Sequence, residues 1–286
     1  MLDVTAVVGG PIRQGVETRA TISTQGGGAA ANVASWLAMN GTAAHLIVRI
    51  GDDVVGQTLL SDLDKYGVTY SHTVIPGAST GVVVVLVDAL GERTMFPDSG
   101  ANSGLSLSDL PSLDEITAVY LSGYPLVNPL SRIGALEILR TVKDRGLPVF
   151  FDPSTVGVLQ DVGLSQIREW LTLVDVLILN EEEAHFLSGR SNPVEAAEEL
   201  LTLTPLVVIK RGSMGALARA RGLDSVQISA VQAPLIDTTG AGDAFAAGFI
   251  QSWINQGDLM QTLECAVTLA AQCVSVVGAR PLLKLI

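Results

Sequence analysis

The chain of 286 residues has only two cysteines, Cys265 and Cys273, and three histidines. Two cysteines cannot build a disulfide framework, and with so few histidines they make a poor zinc site. Lysine and arginine number 17 against 29 aspartates and glutamates, and no basic block occurs. Without a cationic footprint for phosphates, a nucleic-acid binder is not expected. The longest uninterrupted aliphatic run, Val82 to Val87, is too short to span a bilayer, so no membrane partner is expected. Met1 leads directly into Asp3 with no apolar leader, which points to a cytoplasmic protein. Aromatic residues make up only 5% of the chain. No internal repeat, low-complexity tract or evident linker interrupts it, so residues 1–286 are read as one domain.

What the sequence does contain is alternation. Strand-length apolar runs at Leu46–Ile50, Val119–Ser122, Val149–Phe151, Val174–Leu179 and Leu206–Lys210 are separated by segments of helical period. Those segments are Gly56–Tyr66, Ser131–Arg145, Leu164–Leu171 and Pro193–Leu203. The strand runs lack polar alternation, as expected for strands covered on both faces. The pattern predicts a three-layer α/β/α core on a mostly parallel sheet. Two segments, about residues 4–24 and 72–98, break the rhythm. Thr18–Thr24 alternates, and Thr80–Phe96 reads as a hairpin around Ala89-Leu90-Gly91-Glu92, so these segments predict a small β-sheet lid.

Two glycine-rich turns stand before helices. Gly26-Gly27-Gly28 precedes a helix carrying Asn32, whose amide can both donate to and accept from hydroxyls. The same string satisfies a relaxed dinucleotide fingerprint, Gly26-x-Gly28-x-x-Ala31. However, Asp52 and Asp53 lie farther on than the roughly twenty residues that fingerprint requires, which sets a dehydrogenase well behind. The second turn, Asp237-Thr238-Thr239-Gly240-Ala241-Gly242-Asp243, runs into a helix with Phe245, Phe249 and Trp253 on one face. Converging N–H groups at such a turn form an anion hole. Asp243 in the first helical turn is placed either to take a proton from an attacking hydroxyl or simply to cap the helix. No lysine follows a glycine, so a Walker A loop is absent.

GGGAAANVA and DTTGAGDAF together resemble the two glycine signatures of the ribokinase-like (PfkB) family of sugar and nucleoside kinases. Asn180-Glu181-Glu182-Glu183, Lys210-Arg211-Gly212-Ser213-Met214-Gly215 and Val276-Val277-Gly278-Ala279-Arg280-Pro281 are similar to further segments of that family. The resemblance implies an ATP-dependent kinase acting on a sugar or nucleoside, with magnesium and a monovalent cation such as K⁺, and a dimer paired through the lid. Asp243 would be the base, and the backbone of Gly240, Ala241 and Gly242 the anion hole. Asp3, Gly27, Gly28 and Asn32 would hold the acceptor. Asn180 and Glu183 would act on the phosphates and, through water, on magnesium. Lys210, Gly212 and Gly215 would shape the nucleotide pocket, and Asp237 with Thr239 the monovalent site. Asn180 and Glu183 also read as a helix capping box, and Lys210 as a strand end.

The sequence departs from the family in two places. The core strand usual before the acceptor-binding Asp is absent ahead of Asp3: either the start lies farther upstream, or the fold manages without that strand. Its loss would leave neighbouring backbone groups unpaired at about 1–3 kcal/mol each. Where a ribose preference brings a Glu, this chain has Gly123-Tyr124-Pro125, which turns the expectation from ribose toward another furanose or keto-sugar. A nucleoside acceptor or a catalytically silent sugar-binding protein stands second.

Overall fold

A computed structural model of the chain describes residues 1–90 and 92–283. Among the described residues twelve strands run in the order β1 (Leu2–Val8), β2 (Ala20–Gly26), β3 (His45–Gly51), β4 (Thr69–Ile75), β5 (Val82–Val87), β6 (Arg93–Asp98), β7 (Val119–Ser122), β8 (Val149–Asp152), β9 (Val176–Asn180), β10 (Leu206–Lys210), β11 (Ala216–Ala220) and β12 (Val226–Ile228). The core sheet has the order β12-β11-β10-β9-β8-β7, with β7 to β10 parallel and β11 and β12 antiparallel.

Successive residues of the central strands serve opposite layers, as the two-residue period of a strand demands. Phe151, Leu177, Leu179, Val207 and Ile209 pack with Leu139, Leu159 and Leu187 on one face. Phe150, Ile178 and Val208 pack with Phe245, Phe249 and Leu263 on the other. All four residues of β8 are buried, which is why the run LPVFF shows no polar alternation. The core is thus three layers, α/β/α.

β3 and β4 form a separate two-stranded parallel sheet. Among the described residues, β3 pairs only with β4 and β7 only with β8, while the helix Ala29–Met39 packs on both β3 and β7. A third sheet, ordered β2-β1-β5-β6, stands apart from the core as a lid. The hairpin β5–β6 is antiparallel, with Val82 opposite Asp98 and Val87 opposite Arg93. Gly91 of its turn lies outside the described residues. The run Thr69–Ile75 pairs with β3 rather than the lid, so within residues 72–98 the lid strands are β5 and β6. No helix of the described residues is long and apolar enough to cross a membrane.

Candidate active site

Three consecutive parallel strands end in polar residues: β8 in Asp152, β9 in Asn180 and β10 in Lys210. Carboxyl ends of parallel strands are where open α/β sheets bind ligands. Lys210 Nζ donates to Asp152 Oδ2 at 2.5 Å, and both side chains are largely buried. Burial opposes the lysine's charge. The carboxylates of Asp152, Glu183 and Asp243 outweigh it and hold the ammonium above its ordinary pKa. Asp152 was missed in the sequence, although a lone carboxylate closing an apolar strand was its signal.

Asn180 and Glu183 form the capping box. Glu183 N donates to Asn180 Oδ1, and Asn180 N donates to Glu183 Oε2, both at 2.8 Å. The other oxygen, Glu183 Oε1, is buried and has no partner. Desolvation raises the Glu183 carboxyl to about 7, with Lys210 pulling it down and Asp152 pushing it up. Gly212 and Gly215 shape the turn from β10 to β11. A side chain at Gly215 would come within 1.9 Å of Ile228 O, so that glycine is required by packing alone.

Two helices meet at the centre. The first, Ala29–Met39, is entered through Gly28 at φ 95°. The second, Ala241–Ile254, is entered through Gly240 in the left-handed region at φ 76°. A Cβ at Gly240 would lie 2.5 Å from Ala279 Cβ, so both the backbone and its neighbour exclude a side chain. Across 211 residues of sequence, Asn32 Nδ2 donates to Asp243 Oδ2 at 2.8 Å. Burial raises Asp243 to about 7; the Asn32 bond and Lys210 lower it, while Asp152 and Asp3 raise it. A carboxyl poised there is half-protonated near neutrality, as suits a general base.

Asp3 on β1 lies beneath the glycine turn, so close that a Cβ at Gly27 would fall 2.1 Å from its Oδ1. Desolvation raises its pKa against the pull of the Met1 amino group and Arg280. Tyr120 on β7 buries its hydroxyl without a partner. Desolvation first, then the nearby Asp152 and Asp243 charges, push its pKa well up. Asp3, Asn32, Asp152, Glu183, Lys210 and Asp243 therefore share one electrostatic neighbourhood at the meeting of lid and core.

Asp237 ties three segments together. Its Oδ1 accepts from Thr239 N at 2.9 Å, from Thr239 Oγ1 at 2.7 Å and from Arg93 of lid strand β6 at 2.5 Å. Its Oδ2 accepts from Gly278 N at 2.9 Å. Burial would raise its pKa, but these donors hold it below the ordinary carboxylate value. Arg93 thus reaches the Asp237–Thr238 turn rather than standing free on the lid. By strand alternation, Met95 shares with Asp3 the lid face turned to the site.

The glycine turn is not a dinucleotide fingerprint. It follows β2, which runs antiparallel to β1 in the lid instead of opening a parallel βαβ unit. Space at Gly26 is taken by Arg280 and Asp62, each within 2.7 Å of where a Cβ would stand.

The sequence profile of the pfkB family carbohydrate kinases matches residues 1–284. A fructokinase of Klebsiella pneumoniae is 33% identical over 86% of this chain and 83% of its own length. An ATP-dependent ribose-1-phosphate kinase of Halopiger xanaduensis is 32% identical, covering 89% of this chain and 82% of its own. Among solved structures, the adenosine kinase of Sinorhizobium meliloti superposes with a TM-score of 0.86 at 24% identity, over 99% of this chain and 93% of that one.

Proposed function

The chain belongs to the pfkB family of carbohydrate kinases, ATP-dependent phosphotransferases, and on that premise we propose a role for each residue of the site. Asp243 takes the proton of the acceptor hydroxyl as the γ-phosphoryl group of ATP is transferred. The amides of Gly240, Ala241 and Gly242 face the charge that develops. Asp3, Gly27, Gly28 and Asn32 bind and orient the acceptor. Lys210, held by Asp152, sets a fixed positive charge beside Gly242. The observation that carries this reading is the 2.8 Å contact between Asn32 and Asp243, which joins the two glycine turns into one site.

Glu183 fits a magnesium role through water. Its unpartnered buried oxygen is what a metal-bound water would satisfy, and among the described residues no cluster of acids, histidines or cysteines would hold an ion alone. Bound with the nucleotide, magnesium would supply charge neutralisation on the phosphates; Asn180 and Glu183 would orient that shell, and Gly212 and Gly215 would give the nucleotide its turn. A monovalent cation fits Asp237 and Thr239 less well, because the Arg93 guanidinium already meets that carboxylate. Arg93 instead latches the lid to the anion-hole turn, so that lid closure excludes water from the reacting groups.

Gly123-Tyr124-Pro125 after β7 and the fructokinase relative favour a furanose or keto-sugar acceptor. A nucleoside is the second reading, favoured by the fold shared with an adenosine kinase. The outer lid face carries Ile22, Val84 and Phe96, all exposed, and suits pairing with a second copy of the chain. The gap between β3 and β7 is where the core strand expected ahead of Asp3 would fit. Two unpaired cysteines and the need for ATP suit the cytoplasm. ADP release from Mg-ATP across a panel of sugars and nucleosides tests the reading. Turnover that disappears in Asp243→Asn supports it, and binding of a sugar with no turnover would make the protein a silent binder.

A further inference from the structure

Arg280 is a buried guanidinium that the proposed chemistry does not use. Its side chain is only 7% exposed. It follows Ala279, whose carbonyl accepts from Trp36 Nε1 at 2.9 Å, so the helix carrying Asn32 holds the backbone next to it. Its Nε donates to Asn32 Oδ1 and one terminal nitrogen to Gly27 O, each at 3.3 Å. The other terminal nitrogen donates to Asp62 Oδ2 at 2.6 Å, and the guanidinium lies 5.6 Å from the centre of the Tyr66 ring. A chain of contacts therefore runs Asp62–Arg280–Asn32–Asp243. Its outer end opens on a cleft of about 310 Å³ bordered by Asp62, Tyr66 and Gln25.

An asparagine amide has two ends of nearly equal shape, and only its partners decide which faces where. An ionised Asp243 alone would draw Nδ2. Once Asp243 holds the transferred proton, its O–H is a donor, and the amide gains by turning Oδ1 toward it. A guanidinium has no acceptor atom and does not lose its proton, so it keeps Oδ1 for itself in both states. Asp62 in turn holds Arg280 against the competing attraction of Asp3, whose charge also reaches it.

We infer that Arg280, braced by Asp62, is a positioning residue that locks the Asn32 amide with its nitrogen toward Asp243 before and after proton transfer. This rests on the kinase reading above. The charged and titratable groups facing Asp243 are Asp3 from β1, Tyr120 from β7, Asp152 from β8, Lys210 from β10, Tyr124 after β7 and Cys273 from the last helix. None of them contacts the Asn32 oxygen, so the lock belongs to Arg280.

A double-mutant cycle tests it. Arg280→Met should lower kcat about 10–100-fold while the KM for ATP stays within about twofold, and in an Asn32→Ala background the same change should cost less than about threefold more. Losses that multiply in the double variant, with cooperative melting retained, would overturn the lock. Where Arg280→Met fails to fold, Asp62→Asn at the more exposed end runs the same cycle. A second readout is independent of turnover. The Asn32 side-chain amide resonances, assigned by their loss in Asn32→Ala, should stay sharp and separate in wild type from about pH 5.5 to 8.5 and broaden below about pH 7 in the Arg280 or Asp62 variant. An unchanged pair of resonances in those variants refutes the inference. Absence of turnover in wild type refutes the kinase reading and leaves this second readout to decide the lock.

Discussion

Replacing Lys210 with Met probes the charge balance on which the site depends. The ammonium sits 2.5 Å from Asp152 and lowers the carboxyls of both Asp243 and Glu183, each of which still stands at about 7. Removing one member of a buried ion pair costs about 3–5 kcal/mol, because the partner is left charged and dry. At roughly 2–3 °C per kcal/mol for a chain of this size, the melting temperature at pH 8.5 should fall by about 6–15 °C. The pH dependence follows from the direction of the shifts. Both carboxyls have folded-state pKa values above their unfolded ones, so their ionisation opposes folding as pH rises through about 7. Without Lys210 both rise further, and the destabilisation grows above pH 7. At about pH 5.5 both carboxyls are protonated and the deficit should shrink toward that of Asp152 alone. Adding Asp152→Asn should restore part of the loss. Melting curves of the wild type and the two variants at both pH values, followed by circular dichroism, measure this directly. A deficit equal at the two pH values, or larger at the lower one, would show that Lys210 does not balance these carboxyls.

Other outcomes follow from the same geometry. Asp243→Asn should lower kcat by about 10²–10⁴ while calorimetric ATP binding persists, since the proposed role of its carboxylate is on the acceptor and not on the nucleotide. The kcat/KM for the acceptor should rise with pH through about 7, because only ionised Asp243 accepts a proton. In Asn32→Leu that midpoint should move up by about one pH unit, from the loss of a charge-assisted bond of about 1.5 kcal/mol. Gly240→Ala should cost about 1–3 kcal/mol from its left-handed backbone, plus the clash with Ala279, and turnover should collapse with it. Arg93→Ala should raise the KM for the acceptor several-fold and move the melting temperature by no more than about 2 °C, since a partly exposed pair contributes little to stability.

Local chemistry made much of the site legible in the sequence. Gly240 and Gly28 announced themselves because positive φ and close approach leave few alternatives to glycine. The core strands β8, β9 and β10 were legible because burial on both faces removes polar residues, a signal that needs no partner to be read. The capping box at Asn180 and Glu183 was visible as a spacing. Lid strand β1 was not separately recognised. It is mixed in polarity and only partly buried, so its strand state depends on β2 and β5 on either side of it.

Residues whose roles arise between distant segments were decided by tertiary structure alone. Asp152 finds Lys210, Arg93 finds Asp237 and Arg280 finds both Asn32 and Asp62. Each is a charge whose partner lies at least 58 residues away in the chain, and no periodicity records such a pairing. By itself the sequence determined the glycine turns, the doubly covered core strands and the capping spacing at Asn180, because those follow from backbone geometry and burial over a few neighbouring positions. Folding alone decided how the charges balance around Asp243, because electrostatic energy depends on distance and desolvation, and both exist only once the segments have come together.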